Sequence, residues 1–128
     1  MRLQSATILA SSGALLALAT LLGAFGAHVL RATLAPNELS VYLSAERYQY
    51  FHSLGLLGVG LSARSMDGAL LRWSAALLLA GIVLFCGSLY LLAFGAPHAF
   101  GVATPVGGLL LIAGWVLYAC AMWRARTS

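Results

Sequence analysis

From residue 3 to residue 30 the chain carries no Asp, Glu, Lys or Arg, and a second such stretch runs from residue 73 to residue 123. Charge-free runs of that length have no place on the surface of a soluble domain, where about one-quarter of residues are charged. They belong in lipid. A transmembrane helix takes roughly 20 mostly apolar residues at about 1.5 Å each. A chain of 128 residues, 62% hydrophobic and 8% charged, therefore has room for about four spans and very little else. No soluble domain remains to house a separate activity.

The breaks in hydropathy predict spans at about 5–27, 47–63, 70–94 and 104–123, with an interfacial helical segment at about 36–46. Pro36 suits a first helical turn, Asn37 or Thr33 can help satisfy its free amides, and Leu39, Tyr42 and Leu43 give that segment an apolar side. Gly68 in "ARSMDG" and the Gly and Pro residues of "GAPHAFGVATP" mark the two later turns, the second carrying His98. Arg2, the apolar run and the small residues Ala24 and Gly26 imitate a signal peptide. That run exceeds the usual 7–15-residue core of one, so the first span is expected to be retained.

The fold class that follows is all-α, a polytopic four-helix transmembrane bundle. Arg2, Arg64, Arg72, Arg124 and Arg126 fall on one side of it and Arg31 and Arg47 on the other, which puts both termini in the cytoplasm. The net charge of +4 is thus spread over helix ends, where it sets topology and offers no patch for nucleic acid. The strong cations are all arginine in an Ala-, Gly- and Leu-rich chain, a composition that suggests a GC-rich bacterial genome and carries no functional weight. Cys86 and Cys120 fall at opposite membrane faces by residue count, too far apart for the roughly 4.4–6.8 Å between Cα atoms that a disulfide requires.

Helices in lipid associate through close backbone approach at small residues. Ala19, Gly23 and Ala27 recur at intervals of four, Ala76, Ala80 and Gly87 share a face of the third span, and Gly107, Gly114 and Ala121 repeat every seven, with Gly108 beside the first. These residues predict a left-handed bundle.

Polar residues concentrate in "AERYQYFHSLGLL". Tyr42, Glu46, Gln49 and Ser53 fall within about 60° of one another at 100° per residue, with His52 at the edge of the stripe. Depth counting gathers His28, Glu46, Gln49, His52, Cys86, Ser88, Tyr90 and Thr104 into one outer layer. Ionisable groups inside a span are costly and usually face a partner within the bundle. Two readings stand side by side: a structural knot that fixes helix register, and an outward-facing pocket for a metal, haem, quinone or lipid. His28, His52, Glu46 and Cys86 are acceptable metal ligands, although no two of them show ligand spacing such as His at i and i+4. Trp73, Trp115, Trp123 and Tyr118 read as interfacial anchors or core fillers.

"GAFGAHVL" at 23–30, "RYQYFHSLGLL" at 47–57, "LFCGSLYLL" at 84–92 and "TPVGGLLLIAGW" at 104–115 together resemble the successive signatures of the YgdD-like small membrane proteins, a family filed as a domain of unknown function. The resemblance touches all four spans. It places the family's histidine on His28, its Tyr-Gln and following His on Tyr48, Gln49 and His52, its Gly-Ser-Leu-Tyr on Gly87 to Tyr90, and its Thr-Pro-x-Gly-Gly on Thr104 to Gly108. Cys86 stands where Ser is expected before that Gly-Ser, which weakens a thiolate ligand there. The family implies a four-span inner-membrane protein and supplies no reaction.

The expected function is therefore that of a non-enzymatic accessory or scaffold protein. Its cofactor is left unknown, with none as the first expectation; its expected partners are membrane lipids, with a homo-oligomer or a larger membrane complex open, and a small-molecule pocket is the alternative. No nucleophile stands beside a base in the sequence.

Overall fold

A computed structural model describes the backbone of residues 2–126 and side chains from residue 4 onward; Met1, the Arg2 and Leu3 side chains and the tail residues Thr127 and Ser128 lie outside the described residues. The first helix, α1 (Arg2–Phe25), runs on through a π-helical turn at Gly26–Leu30 and a last α-helical turn at Arg31–Thr33. Leu34 and Ala35 are extended, as a residue ahead of proline must be, and Pro36 opens α2 (Pro36–Ser62). The Ala35 amide donates to Glu38 Oε2 at 3.0 Å, which satisfies one free donor at that helix start.

Helix α2 is uninterrupted. The interfacial segment expected at 36–46 and the span expected from residue 47 are one helix about 40 Å long, because no Gly or Pro stands between Pro36 and Gly55 to break it. After the turn at residues 63–68 comes α3 (Ala69–Ala93), which ends at Gly95 with φ +84°. The Ala96 amide bonds the Leu91 carbonyl at 3.0 Å and the Gly95 amide the Leu92 carbonyl at 3.1 Å, a paired closure that needs a left-handed residue at this point. A 3₁₀ turn, His98–Val102, leads into α4 (Ala103–Ala125).

Three stretches, Gln4–Thr33, Ala69–Ala93 and His98–Ala125, are long and apolar enough to cross a membrane. Helix α2 has the length, and its polar residues lower its hydropathy. Each helix packs on the next, α1 on α2, α2 on α3, and α3 on α4 most extensively.

The α3–α4 seam explains that last preference. Ser74, Leu78, Gly81, Phe85 and Ser88 recur at alternating intervals of four and three, as do Thr104, Gly107, Leu111 and Gly114 in reverse. A Cβ on Gly107 would lie 2.4 Å from the Phe85 backbone nitrogen, one on Gly114 2.8 Å from Leu78, and one on Gly81 2.8 Å from Leu111. Ser74 Oγ donates to the Gly114 carbonyl at 2.8 Å, and Ser88 Oγ meets Thr104 Oγ1 at 2.6 Å. This three–four alternation is the spacing of left-handed helix pairs.

Four of the expected packing residues stand elsewhere. Ala80 is exposed, as is Ala76, and nothing lies within 4 Å of a Cβ built on Gly87, so that face of α3 looks outward. Ala27 is also exposed. A strict interval of four turns by about 40° at each step, so a line through Ala19 and Gly23 has left the contact by Ala27. The contact continues through Gly26 and Leu30, both buried. A Cβ on Gly108 would lie at ordinary contact distance, 3.7 Å, from the Phe85 ring.

Candidate functional site

The polar residues of α2 do not share one pocket. They divide among three neighbouring helices.

Toward α1, the Tyr42 hydroxyl donates to the Leu22 carbonyl at 2.6 Å, Gln49 Nε2 to the Leu15 carbonyl at 2.9 Å, and Ser12 Oγ to the Ser53 carbonyl at 2.7 Å. The two α2 donors are seven residues apart, and so are their α1 acceptors, which is the register of an antiparallel pair. Tyr42 also explains Gly26. A Cβ there would lie 2.7 Å from the Tyr42 ring, so the chain passes the ring at a glycine as it enters the π turn. π turns within α-helices are rare and frequently mark functional segments. His28 stands on this turn, exposed.

Toward α3, the Tyr90 hydroxyl donates to Gln49 Oε1 at 2.8 Å. One side-chain amide, 2% exposed, thus joins three helices. The Tyr42 ring meets the rings of Tyr90 and Phe94 edge-on at centroid distances of 5.1 and 5.9 Å, and Leu30, Tyr42 and Ala93 form a small core there.

Toward α4, His52 lies parallel to Tyr48 at 5.7 Å between centroids and approaches the Trp115 ring at 6.3 Å. The Tyr48 ring in turn rests on Phe85. Trp115 fits over Gly55, where a Cβ would lie 2.3 Å from the indole. The Tyr118 hydroxyl meets Ser62 Oγ at 3.0 Å. His52 Nδ1 lies 2.7 Å from the Tyr48 carbonyl, its own residue i−4. A carbonyl only accepts, so Nδ1 carries the proton and the neutral ring keeps its lone pair on Nε2.

Glu46 lies on the opposite flank. Its Oε1 would be 2.5 Å from a Cβ on Gly23, and the Tyr50 hydroxyl beside it donates to Thr20 Oγ1 at 3.2 Å. Glu46 and Arg47 have no hydrogen bond or salt bridge among the described residues, whereas Asp67 and Arg72 form an exposed ion pair at the other end of the helices.

His28, Glu46, Gln49 and His52 are therefore not brought together, and the expected single pocket gives way to separate contacts. Among the described residues no three of His, Cys, Asp and Glu gather as they would around a metal ion. Cys86 is buried among Leu56, Leu78, Ile82 and Leu111 as an apolar residue, and Cys120 is exposed; both are free thiols. What the sequence reading missed is the role of serine and of four glycines. Ser12 and Ser74 bond carbonyls across helix pairs, and Gly26, Gly55, Gly60 and Gly81 each take a side chain from another helix. The recurrence of Gly and Ser in apolar runs was the available signal.

Residues 22–108 match the model of the family described as "Protein of unknown function (DUF423)". The chain belongs to this family. The DUF423 match begins at Leu22, the acceptor for Tyr42, includes the π turn and the whole of α2, and ends at Gly108 in the α3–α4 seam. A UPF0382 membrane protein of Staphylococcus saprophyticus is 43% identical over 110 residues, covering 86% of this chain and 89% of its own. The UPF0382 inner membrane protein YgdD of Escherichia coli K12 is 42% identical over 96 residues, 75% of this chain and 73% of its own. A Staphylococcus aureus relative of the same description is 38% identical over 117 residues, 91% and 93% of the two chains. No solved structure matches the chain significantly. This DUF423 chain is a small helical integral protein of the inner membrane.

Proposed function

We propose that all four helices cross the membrane, with both termini cytoplasmic, and that the protein is a non-enzymatic accessory or scaffold element that associates with itself or with a larger membrane complex. The observation that carries the scaffold reading is the use to which the polar groups are put. Tyr42, Gln49, Ser12, Ser74 and Tyr90 all bond another helix, so the costly polar chemistry of the spans holds the bundle in register. The outward small-residue face of α3, at Ala76, Ala80 and Gly87, supports an association surface.

Two experiments test this. In a Cys120→Ser background, Ala99→Cys in the α3–α4 connection should react with a membrane-impermeant maleimide in intact spheroplasts, and Ser65→Cys in the α2–α3 turn only after lysis. The reverse pattern overturns the topology. Photo-crosslinking in native membranes from position 80 should trap a second copy or a partner chain. A monomeric mass in native detergent with no crosslinked species defeats the scaffold reading.

One observation favours a small-molecule reading instead. His52 has its proton held on Nδ1 by the Tyr48 carbonyl, which leaves Nε2 as an acceptor or ligand beside Trp115. Metal content and the visible spectrum of the purified protein, wild type beside His28→Ala and His52→Ala, test it. A stoichiometric metal or a Soret band lost in His52→Ala would establish it, and identical blank preparations would remove it.

A further inference from the structure

Glu46 and Arg47 are adjacent in sequence, opposite in charge, and without a salt bridge or hydrogen bond among the described residues. They line one open cavity of about 380 Å³ with Leu43, Tyr50 and Phe51. That cavity sits on the flank of α2 beside α1, away from His52 and Trp115, so it is independent of the histidine reading. Its chemistry is bipolar. Glu46 is half-buried against Gly23, with the Tyr50 hydroxyl next to it, while Arg47 is exposed and Phe51 is 63% exposed.

Unpaired charges near a hydrocarbon boundary are costly and draw partners. The cavity offers none, so the partners have to come from outside the chain, and one molecule that supplied both an anion and a cation a few atoms apart would satisfy both residues. Water alone could solvate Arg47, which can reach the interface along its own stem. It serves Glu46 less well, because Gly23 and Tyr50 close that side.

We propose that this cavity seats the headgroup of a membrane phospholipid that carries a primary amine. The ammonium donates to the Glu46 carboxylate, the phosphate accepts from the Arg47 guanidinium, and the acyl chains lie along Leu43 and Phe51. A primary ammonium is selected over a quaternary one because a carboxylate acceptor rewards N–H donors, and charge-assisted hydrogen bonds are the strong ones. An anionic headgroup without an amine would satisfy Arg47 and leave Glu46 facing a like charge. By helix length, Glu46 lies about 15 Å along α2 from Pro36, on the outer side under the proposed topology. The lipid therefore comes from the outer leaflet. The leaflet rests on that topology; the headgroup does not.

The test is native mass spectrometry of the full chain released from nanodiscs of phosphatidylethanolamine, its mono- and dimethyl derivatives, phosphatidylcholine and phosphatidylglycerol, in equal amounts. Phosphate and acyl chains are then constant across the methylation series, and only the N–H donors change. The expected result is retention of phosphatidylethanolamine about tenfold over phosphatidylcholine, falling stepwise with methylation. Glu46→Gln should abolish this preference and keep overall lipid retention, and Arg47→Gln, at an exposed position, should lower retention of all the phospholipids alike. Equal retention across the series, or an unchanged preference in Glu46→Gln, overturns the proposal. Retention that rises with methylation assigns the cation to the Tyr50 and Phe51 rings and overturns the carboxylate contact. Preference for phosphatidylglycerol reduces the site to Arg47 alone. Both variants are to elute at the wild-type position on size exclusion; should Glu46→Gln not, the wild-type methylation series decides the question by itself.

Discussion

The Tyr90 hydroxyl on α3 donates to the side-chain carbonyl of Gln49 on α2 at 2.8 Å, and the same amide's nitrogen reaches the Leu15 carbonyl on α1 at 2.9 Å. With one end of the amide accepting and the other donating, neither can be rotated away without stranding the other. Gln49 thus ties α1 and α3 to one register, as Tyr42 does through the Leu22 carbonyl on one side and the Tyr90 ring on the other.

Tyr90→Phe should therefore cost about 0.6–2 kcal/mol, the range of a single interhelical hydrogen bond in lipid. Gln49→Leu should cost more, since it also leaves the half-buried Tyr90 hydroxyl without its partner and removes the bond to Leu15. A double-mutant cycle by reversible unfolding in mixed micelles checks this, and strictly additive losses would contradict the bridge.

Serines 12 and 53 should behave oppositely despite lying together. Ser12 Oγ donates to the Ser53 carbonyl, whereas Ser53 Oγ is fully buried with no hydrogen-bond partner among the described residues. Ser12→Ala should lose roughly 0.6–1 kcal/mol, and Ser53→Ala should be neutral or stabilising, because it removes a desolvated group that gains nothing. Equal losses in thermal unfolding would contradict the absence of a partner for Ser53 Oγ among the described residues.

Gly107→Ala forces a methyl group against the Phe85 backbone, which cannot swing aside as a side-chain tip would. Overpacking of that kind costs about 1–3 kcal/mol. Gly87→Ala, on the outward face of α3, should leave the monomer unchanged or gain the helix preference of Ala over Gly, about 1 kcal/mol. The comparison of the two in unfolding midpoints reads the α3–α4 seam directly.

In its neutral form the His52 ring should carry its proton on Nδ1 in ¹⁵N spectra of the detergent-solubilised protein, since its Nδ1 faces the Tyr48 carbonyl at 2.7 Å. His28, exposed on the π turn, should show tautomer exchange instead. An Nε2-protonated His52 would remove the free acceptor from the α4 side and with it the small-molecule reading at that residue.

Hydropathy alone announced long helices in lipid, and the runs at residues 3–30 and 73–123 left little else for them to be. The every-seven spacing of Gly107, Gly114 and Ala121 likewise marked a buried line, and all three are buried. These are properties of one helix at a time, and one-dimensional periodicity can express them. Partner choice is different. The stripe formed by Tyr42, Glu46, Gln49 and Ser53, with His52 at its edge, is continuous on a helical wheel, yet α2 stands among three helices and neighbouring side chains on that stripe meet different ones. Only tertiary structure decided that Gln49 bridges, that His52 turns to Trp115, and that Glu46 turns to Gly23. The same holds for Ala80 and Gly87, whose size suits close packing while the seam runs through Leu78 and Gly81, because contact is set by the helix on the other side, about which the spacing of a single segment says nothing.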